Sequence, residues 1–325
     1  MTLSRGIYKI HNVGVPVAMD FGGPGSSDDG RKIFVWRSED SEFNWNQLWL
    51  VEPVDGKTDT FTVRSLIAGT YMTLAGGKYM RYHPSSISIF FSGSSANETP
   101  ITGGRRSSGS HVPRQEWIIK RSMDKDKESY KMKNYASGTF VDLYHGGSTN
   151  GTPIYGWKGD FKTHGQYSWH QYWTFKRGSL SSAEIKKIII GNKFHLNKSP
   201  SYKSYQVDGE YLILPQNLWE EIWNCDSTGL RGKKRRREIF DYDDFALTMK
   251  AAVAQWGAKK CDTVDGFSIF CGLMLGRSQK SPREGRAYNF TISDDHSEVV
   301  FFDPQDNKFI TESDKIDCNA SHFYV

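Results

Sequence analysis

The chain of 325 residues has no continuous apolar run of about 18 residues, which is the length that a membrane-spanning helix needs. Residues 1–6 also lack the apolar stretch of a secretory signal. Four cysteines occur, all in the second half: Cys225, Cys261, Cys271 and Cys318. We therefore expect no membrane span, a cytoplasmic location, and reduced thiols rather than the disulfide framework of a small secreted fold.

A net positive charge is also missing from most of the chain. Residues 231–237 (Arg-Gly-Lys-Lys-Arg-Arg-Arg) carry six positive charges, so a net charge of +5 leaves about −1 for all the rest. A nucleic-acid-binding protein usually spreads its basic residues over one face, with aromatic residues among them. We expect no nucleic-acid partner and interpret the run as a solvated loop; a nuclear-localisation signal or a polyanion patch is the alternative.

What the sequence does contain is a threefold repeat. Each copy opens on an aromatic residue in a short alternating run and closes on Gln-x-Trp. Similarity at a fixed phase indicates one supersecondary unit stacked on itself, and alternating runs broken by Gly, Asn and Ser favour strands. The opening residues are Tyr8, Phe61 and Tyr130, and the closing pairs are Gln47 with Trp49, Gln115 with Trp117, and Gln171 with Trp173.

These repeats resemble the ricin-B-type β-trefoil over residues 1–178. The resemblance implies an all-β domain in which the three Trp side chains fill the core and the Gln side chains hold neighbouring backbone. On that ground alone, these six residues build the fold and need not bind a ligand.

Two of the repeats also carry the groups that a sugar site needs. A carboxylate or amide binds paired sugar hydroxyls, and an aromatic ring packs on the apolar sugar face; unpaired buried polar groups are costly, so such sites discriminate between hydroxyl patterns. The ring follows the Asp by sixteen residues in the first repeat and by fifteen in the third. Turn capping by Asp and core packing by Trp are the alternatives. The predicted carbohydrate sites are Asp20, Trp36, Asn46 and Gln47, and Asp142, Trp157, His170 and Gln171.

The middle repeat departs from this pattern. Thr73 replaces the Asp, residues 88–91 (Ser-Ile-Phe-Phe) stand near the expected ring position, and Arg114 takes the place of Asn46. Residues 92–110 are rich in Gly, Ser and Thr, which predicts an exposed loop. The middle site is therefore either lost or recognises a different ligand.

The second half, from residue 179, has a mixed helix and strand pattern. The spacing predicts helices over 183–191 and 243–256, the latter ended by Gly257, and helical turns around Leu218 and Ile222. Strands are predicted at 211–214, 287–293 and 298–303. Cys271 lies among apolar neighbours, so we interpret it as a structural thiol rather than a nucleophile.

Over nearly its full length, the chain resembles the mushroom chimerolectins of the Marasmius oreades agglutinin type. The matching segments include Asp243-Asp244-Phe245-Ala246, Ile269-Phe270-Cys271-Gly272, Ala287-Tyr288-Asn289-Phe290 and Phe301-Phe302-Asp303-Pro304-Gln305. The resemblance implies a trefoil at 1–178 that binds galactose-type ends of glycoproteins or glycolipids. It also implies a papain-like α+β domain at 179–325 that forms a homodimer and, in the family, acts as a calcium-dependent cysteine protease.

The chain departs from that family at the reacting groups. Tyr242 stands at the position of the nucleophilic Cys, Arg286 at that of the His base, and Asp303 at that of a third polar residue, a Glu. A phenol does not replace a thiolate, and an Arg that stays protonated cannot accept a proton. We expect a lectin whose second domain is catalytically dead. The alternative is an active calcium-dependent protease or a cytotoxic defence lectin that uses other residues, such as Cys225 or Cys261.

The resemblance further implies calcium near the reacting pair, held by oxygen ligands that suit a hard ion. Helix capping is the alternative role for Asp243. Sugar binding itself is expected to need no cofactor. The candidate metal ligands are Asp243, Asp244, Asn289, Asp303 and Gln305.

Overall fold

A computed structural model describes residues 3–22, 29–38, 43–83, 86–93, 95–106, 111–122, 128–162, 168–191, 203–205, 209–225, 229–261, 263–310 and 316–325. The chain divides into two compact units, Met1–Arg177 and Gly178–Val325. Within those described ranges, each helix is too short or too polar to cross a membrane.

The first unit consists of short strands, and six of them form a closed ring. Strand β1 pairs with β4 and β14, β5 pairs with β4 and β10, and β11 pairs with β10 and β14, always antiparallel. The strands are β1 (Gly6–Asn12), β2 (Val17–Asp20), β3 (Phe34–Arg37), β4 (Leu48–Pro53), β5 (Thr60–Ser65), β6 (Tyr71–Leu74), β7 (Gly76–His83), β8 (Ser86–Gly93), β9 (Thr99–Gly104), β10 (Trp117–Ser122), β11 (Ser129–Asn134), β12 (Phe140–Leu143), β13 (Thr152–Trp157) and β14 (Trp173–Arg177).

The core of this unit repeats three times around the ring. The Trp side chains of the three Gln-x-Trp motifs are fully buried, and each indole Nε1 donates to a backbone carbonyl of the preceding hairpin of the same repeat. The contacts are Trp49 to Met19 at 3.1 Å, Trp117 to Met72 at 2.9 Å, and Trp173 to Val141 at 3.2 Å. Each ring thus buries a large apolar area while its N–H stays paired, which stabilises the unit. The predicted threefold β architecture is confirmed.

Three hairpins, β2–β3, β6–β9 and β12–β13, adjoin the ring, and β13 pairs with both β3 and β9. The middle hairpin is interrupted by an inserted pair, β7–β8. The exposed loop predicted for residues 92–110 is wrong at both described strands, because β8 ends at Gly93 and β9 is mostly buried. Glycine is needed in β9 for close packing: a Cβ on Gly103 would lie 2.5 Å from the Phe21 ring. Residues 107–110 lie outside the described part.

The second unit places one long helix against a six-stranded sheet with the order β16-β23-β19-β20-β21-β22; β15, β17 and β18 form a smaller sheet. The Asn289 amide on β20 donates to the Ala246 carbonyl on α3 and ties helix to sheet. The elements are β15 (Ser179–Ser181), α1 (Ser182–Gly191), β16 (Lys203–Tyr205), β17 (Glu210–Leu212), α2 (Gln216–Asn224), α3 (Tyr242–Lys260), β18 (Ser268–Ile269), β19 (Gly272–Arg277), β20 (Gly285–Ile292), β21 (Val299–Asp303), β22 (Lys308–Phe309) and β23 (Asn319–Tyr324).

Helix α3 begins close to its predicted start and runs past its predicted end. Asp241 is the N-cap, and a capping box joins it to Asp244, whose side chain accepts the Asp241 N–H at 3.0 Å. Gly257, predicted to end the helix, lies inside it. A Cβ on Gly257 would lie 2.4 Å from the side chain of Ile269, so the glycine allows β18 to approach the helix.

Candidate functional site

In each repeat, the Gln of the Gln-x-Trp motif contacts the end of the hairpin that adjoins the ring of six strands. The Gln side-chain amide donates to a backbone carbonyl at the end of the last strand of that hairpin or directly after it. The contacts are Gln47 to Arg37 at 3.3 Å, Gln115 to Arg105 at 3.1 Å, and Gln171 to Lys158 at 3.0 Å. These three carbonyls are equivalent positions, so the residue before each of them is equivalent as well.

The two predicted rings occupy that equivalent position. Trp36 pairs with Ala18 across β2–β3, and Trp157 pairs with Phe140 across β12–β13. In both hairpins the pairing partner lies two residues before the Asp. Trp36 is 43% exposed and Trp157 is partly exposed, so both rings reach the surface. The Asp-to-Trp spacings of sixteen and fifteen residues therefore place both rings at the same position of their hairpins.

The two predicted carboxylates, Asp20 on β2 and Asp142 on β12, are both buried. Asp20 Oδ1 accepts the N–H of Gly22 at 2.7 Å, which is the turn-capping contact that was the alternative for this residue. Asp142 Oδ2 accepts from Gln171 Nε2 at 2.9 Å. Burial raises the pKa of Asp142 to about 6, against the opposing effect of the Gln171 hydrogen bond. In the third repeat, the motif Gln thus donates a hydrogen bond directly to the buried acid.

The residues before the motif Gln lie in short helical turns. Asn46 is in the turn Trp45–Gln47, and its N–H donates to Asn44 Oδ1 at 3.0 Å. The His170 ring packs edge-on against Trp169 with 4.4 Å between ring centroids. Burial, and then the nearby His145, lowers the pKa of His170, so its imidazole is neutral at pH 7 and can both donate and accept a hydrogen bond.

The middle repeat has neither acid nor ring at the equivalent positions. Thr73 Oγ1 donates to the Tyr71 carbonyl at 2.7 Å and accepts from Gln115 Nε2 at 3.1 Å. Tyr71 pairs with Gly104, which places Gly104 where Trp36 and Trp157 stand. Residues 88–91, which stand near the expected ring position in the sequence, lie in the inserted β7–β8 pair, and this pair separates β6 from β9 along the chain. Any side chain at Gly104 would collide with Thr73, since its Cβ would lie 2.3 Å from Oγ1.

Arginines lie around this middle position. Arg106 and Arg64 have their guanidinium carbons 5.4 Å and 5.3 Å from the ring centroid of Tyr71. Arg114 lies in the turn Pro113–Gln115, at the position of Asn46 and His170. The middle repeat therefore keeps the backbone arrangement, or frame, of the other two, but arginines lie near the positions at which those repeats have an acid and a ring.

Side chains from neighbouring repeats complete this frame, and the sequence did not indicate them. The residue after each ring position donates its backbone N–H to a side-chain oxygen of another repeat. The contacts are Arg37 to Asn150 at 2.7 Å, Arg105 to Asp29 at 2.9 Å, and Lys158 to Asn97 at 2.9 Å. Each acceptor comes from a loop of irregular length, so no fixed spacing could have identified it.

A second aromatic position beside the acids was also missed. Phe34 lies opposite Asp20 in β2–β3, and Tyr155 lies opposite Asp142 in β12–β13. Tyr155 also contacts Tyr144, with 5.3 Å between ring centroids. Both residues precede the predicted Trp by two positions, so strand alternation puts each on the same face as that ring. That alternation was the signal that could have found them.

In the second unit, the structure brings Tyr242 and Arg286 together. Tyr242 is the first residue of α3, and Arg286 lies on β20 with its guanidinium carbon 4.1 Å from the phenol ring centroid. Arg235, from the basic run, lies at 4.3 Å from the same centroid and donates to the Tyr242 hydroxyl at 3.0 Å. Two guanidinium groups thus contact the Tyr242 ring. Sequence reasoning placed Arg235 in a solvated loop and missed this contact.

Carboxylates hold both guanidinium groups in place. Glu284 Oε1 contacts Arg235 Nη2 at 2.6 Å and Arg286 Nη1 at 3.1 Å, and Asp317 contacts Arg286 Nη2 at 3.2 Å. The hydrogen bond from Arg286 is the largest cause of a lowered pKa of Glu284. These partners lie far apart in the sequence, so only the fold brings them together.

The predicted metal ligands fall into separate groups. Carboxylate oxygens of Asp241, Asp243 and Asp244 lie within 4.8 Å of one another at the start of α3. A hydrogen bond with Asp243, followed by burial, raises the pKa of Asp241 to about 6. Sequence reasoning included Asp243 and Asp244 and missed Asp241, although it noted the acidic start of the helix.

The other three candidates lie on the sheet side. Asn289 is fully buried, and its amide donates to the carbonyls of Ala246 and Gly272 at 3.0 Å and 3.2 Å. On β21, Asp303 accepts the N–H of Gln305 at 2.9 Å, and burial raises its pKa. The structure therefore pairs Asp303 with Gln305 and gives Asn289 a role in packing.

The thiols differ in their surroundings. Cys271 and Cys318 are buried, and Cys225 is exposed. Burial raises the pKa of Cys271 to about 12, so this thiol stays protonated at neutral pH. That geometry supports the structural interpretation of Cys271.

Comparison with known proteins gives matches to both units. Residues 45–157 match the family described as ricin-type beta-trefoil lectin domain-like, and residues 211–309 match the family described as agglutinin C-terminal. A search of curated proteins found no match.

Two solved structures are similar over their whole length. One is a PSL1a–E64 complex, with 30% identity and a TM-score of 0.76. The other is the Polyporus squamosus lectin bound to the human-type influenza-binding epitope Neu5Acα2-6Galβ1-4GlcNAc, with 31% identity and a TM-score of 0.75. In both cases the match covers 100% of this chain and 100% of the other.

Proposed function

The chain belongs to the fungal lectins that join a ricin-type β-trefoil to an agglutinin C-terminal domain, and from that premise we propose that it binds galactose-containing glycan ends through its first and third repeats. The observation that carries this proposal is the equivalence of Trp36 and Trp157 beside Asp20 and Asp142. The similar Polyporus squamosus lectin has a galactose-containing glycan bound, which supports the ligand class.

Each site combines a buried carboxylate with an exposed ring. In the third repeat, Asp142 would accept sugar hydroxyls while the Gln171 amide holds the carboxylate in position at 2.9 Å. The Trp157 ring would pack on the C–H face of the sugar, and the neutral His170 would pair with a further hydroxyl. In the first repeat, Asp20, Trp36, Asn46 and Gln47 would take the same parts. No metal takes part in this scheme.

A glycan array with the unmodified chain would identify the sugar, and calorimetric titration of variants would locate the sites. Asp20→Ala and Asp142→Ala should each remove one of two binding events, and the double variant should bind no glycan. Thr73→Ala, at the equivalent position of the middle repeat, is the matched control and should leave both events. Full affinity in the double variant would refute the assignment.

For the second unit, we propose a protease-like, papain-type domain that has lost its reacting pair and serves in dimerisation. Three features support inactivity: Tyr242 at the nucleophile position, Arg286 at the base position, and Arg235, which contacts the phenol ring and donates to its hydroxyl. Both reacting groups act as one unit, so losing either lowers the rate by roughly a thousandfold or more.

The test measures cleavage of casein and of the chain itself with and without calcium or manganese, and labelling by E64. We expect neither cleavage nor labelling. Tyr242→Cys with Arg286→His is the restoring variant, and Arg235→Ala added to it should raise any recovered rate by opening the site. Calcium-dependent cleavage by the unmodified chain, blocked by thiol reagents, would overturn the proposal and point to Cys225 or Cys261.

We also propose that the chain forms a homodimer, whose paired trefoils would raise avidity without new contacts. Light scattering should then give about twice the 37.0 kDa of one chain.

Calcium is proposed at Asp241, Asp243 and Asp244, whose clustered carboxylates suit a hard ion and repel one another without one. Calorimetry with calcium chloride on Asp243→Asn checks this, and sugar affinity should be independent of the ion.

A further inference from the structure

A groove of about 360 Å³ lies in the second unit between the basic run and the turn that joins β19 to β20. Arg235 and Arg237 line it from the run, and Arg283 lines it from the turn. Arg235 is occupied by Tyr242 and Glu284, whereas the side chain of Arg237 is 88% exposed. The groove therefore presents guanidinium groups from two separate segments.

Both segments are held in fixed conformations. In the run, Arg236 and Phe240 exchange two backbone hydrogen bonds of 2.8 Å, and the Phe240 ring packs on Phe245 of α3. In the turn, Asp317 accepts from Ser278 and from the N–H of Gln279 at 2.8 Å and 2.9 Å. Groups held in place before binding lose less conformational entropy when a ligand arrives.

The positive charge at the groove comes from the basic run as a whole. Three arginines and three acids line the groove itself; the acids are Glu238, Asp241 and Glu284, and Glu284 is already paired with Arg235 and Arg286. The side chain of Glu238 is 84% exposed and approaches Arg237 only at 4.0 Å, so that pair is weak. The rest of the run adds four basic residues, all exposed, so positive charge exceeds negative charge in this segment: Arg231, Lys233, Lys234 and Arg236.

We propose that this groove binds a sulfated glycan through Arg237 and Arg283. Guanidinium groups bind sulfate oxygens in pairs, and several of them along one run match repeated sulfates along a polymer. Arg235 and Arg286 already pack against the Tyr242 ring, which leaves that ring less open to stacking by a nucleic-acid base. The concave shape suits a discrete anionic group better than a flat lipid surface.

Binding of the full chain to dextran sulfate tests the proposal, with uncharged dextran as the reference ligand and salt near 0.15 M. Arg237→Ser with Arg283→Ser should weaken affinity about 100-fold, since each lost charge-assisted hydrogen bond typically accounts for about tenfold. Lys186→Ser with Lys187→Ser removes the same charge from the exposed face of α1 and should change affinity less than about threefold.

Equal losses in the two double variants would show general charge attraction and overturn the assignment, as would unchanged affinity in the arginine variant. The trefoil variant Asp20→Ala with Asp142→Ala should keep dextran sulfate binding, which separates this site from the proposed sugar sites. Stronger binding to phosphatidylserine vesicles than to dextran sulfate, lost in Ile239→Ser, would assign the groove to a membrane surface and refute the proposal.

Discussion

The middle and third repeats of the trefoil have the same interior and different exteriors. Trp117 and Trp173 are equally buried, and each donates its indole N–H to the equivalent carbonyl. Outside that core, the third repeat presents Asp142 and Trp157, whereas the middle repeat has Thr73 and Gly104.

This difference shows that each repeat has two separate roles: it packs part of the shared core, and it can present the groups of a binding site. Every repeat supplies one third of a shared core, so the loss of one Trp would affect the packing of the other two. The outer groups are not part of the shared apolar core, so one repeat can lose them without harm to the fold. In the middle repeat, the buried Thr73 hydroxyl accepts a hydrogen bond from the Gln115 amide, so that amide is paired without a ligand.

The largest effect should come from the core that both repeats share. Trp117→Ala and Trp173→Ala should each lower the free energy of unfolding by about 3–5 kcal/mol, because each leaves a large cavity and an unpaired carbonyl. Urea unfolding of both variants measures this. A loss below about 1 kcal/mol for Trp117→Ala would show that the middle repeat no longer supports the core.

Next in size is the close contact that excludes a ring from the middle repeat. Gly104→Ala should lower the free energy of unfolding by about 1–3 kcal/mol, since its Cβ would lie 2.3 Å from Thr73 Oγ1. Gly209→Ala is the control, because a Cβ there meets no atom within 4 Å. Equal unfolding midpoints in the two variants would contradict the tight packing of β9 on β6.

A pH titration should distinguish the third repeat from the rest. Its carboxylate accepts sugar hydroxyls only when ionised, so affinity at this site should fall about tenfold for each pH unit below the Asp142 pKa of about 6. Asp142→Asn should remove this pH dependence in calorimetry. The raised pKa also means that the folded chain holds a proton more tightly, so stability from this group declines as pH rises from about 4 to 6.

The smallest effect belongs to the middle position itself. Thr73→Ala removes the hydroxyl that Gln115 contacts, at a cost of about 1 kcal/mol in unfolding free energy. Glycan affinity in the same variant should change less than about twofold. A larger change in affinity would show that the middle repeat takes part in binding.

Within the trefoil, patterns copied three times were the most predictable. Alternation and the Gln-x-Trp spacing identified the strands, the three core rings and the equivalent positions of Asp20 and Asp142, because local repetition imposes the same packing each time. Counting along the chain failed in the middle repeat, where β7–β8 separates paired strands. Glycines at 103 and 104 were interpreted as a loop signal, although close packing against Phe21 and Thr73 explains them.

In the second unit, local patterns predicted the main helices and strands but not their side-chain partners. The contacts of Tyr242 with Arg235 and Arg286 join a loop, a helix start and a strand. Only the register of β19 with β20 and the anchoring of the basic run bring these groups together.

The sequence by itself therefore determined the threefold trefoil and the two repeats with an acid and a ring. Those features depend on residue identity and spacing over short distances. Tertiary structure alone decided that Gly104 occupies the ring position, that Asn97, Asn150 and Asp29 complete the hairpin frame, and that Arg235 covers Tyr242. Such contacts join residues whose separation varies freely along the chain, so pairing between strands and packing between elements set them.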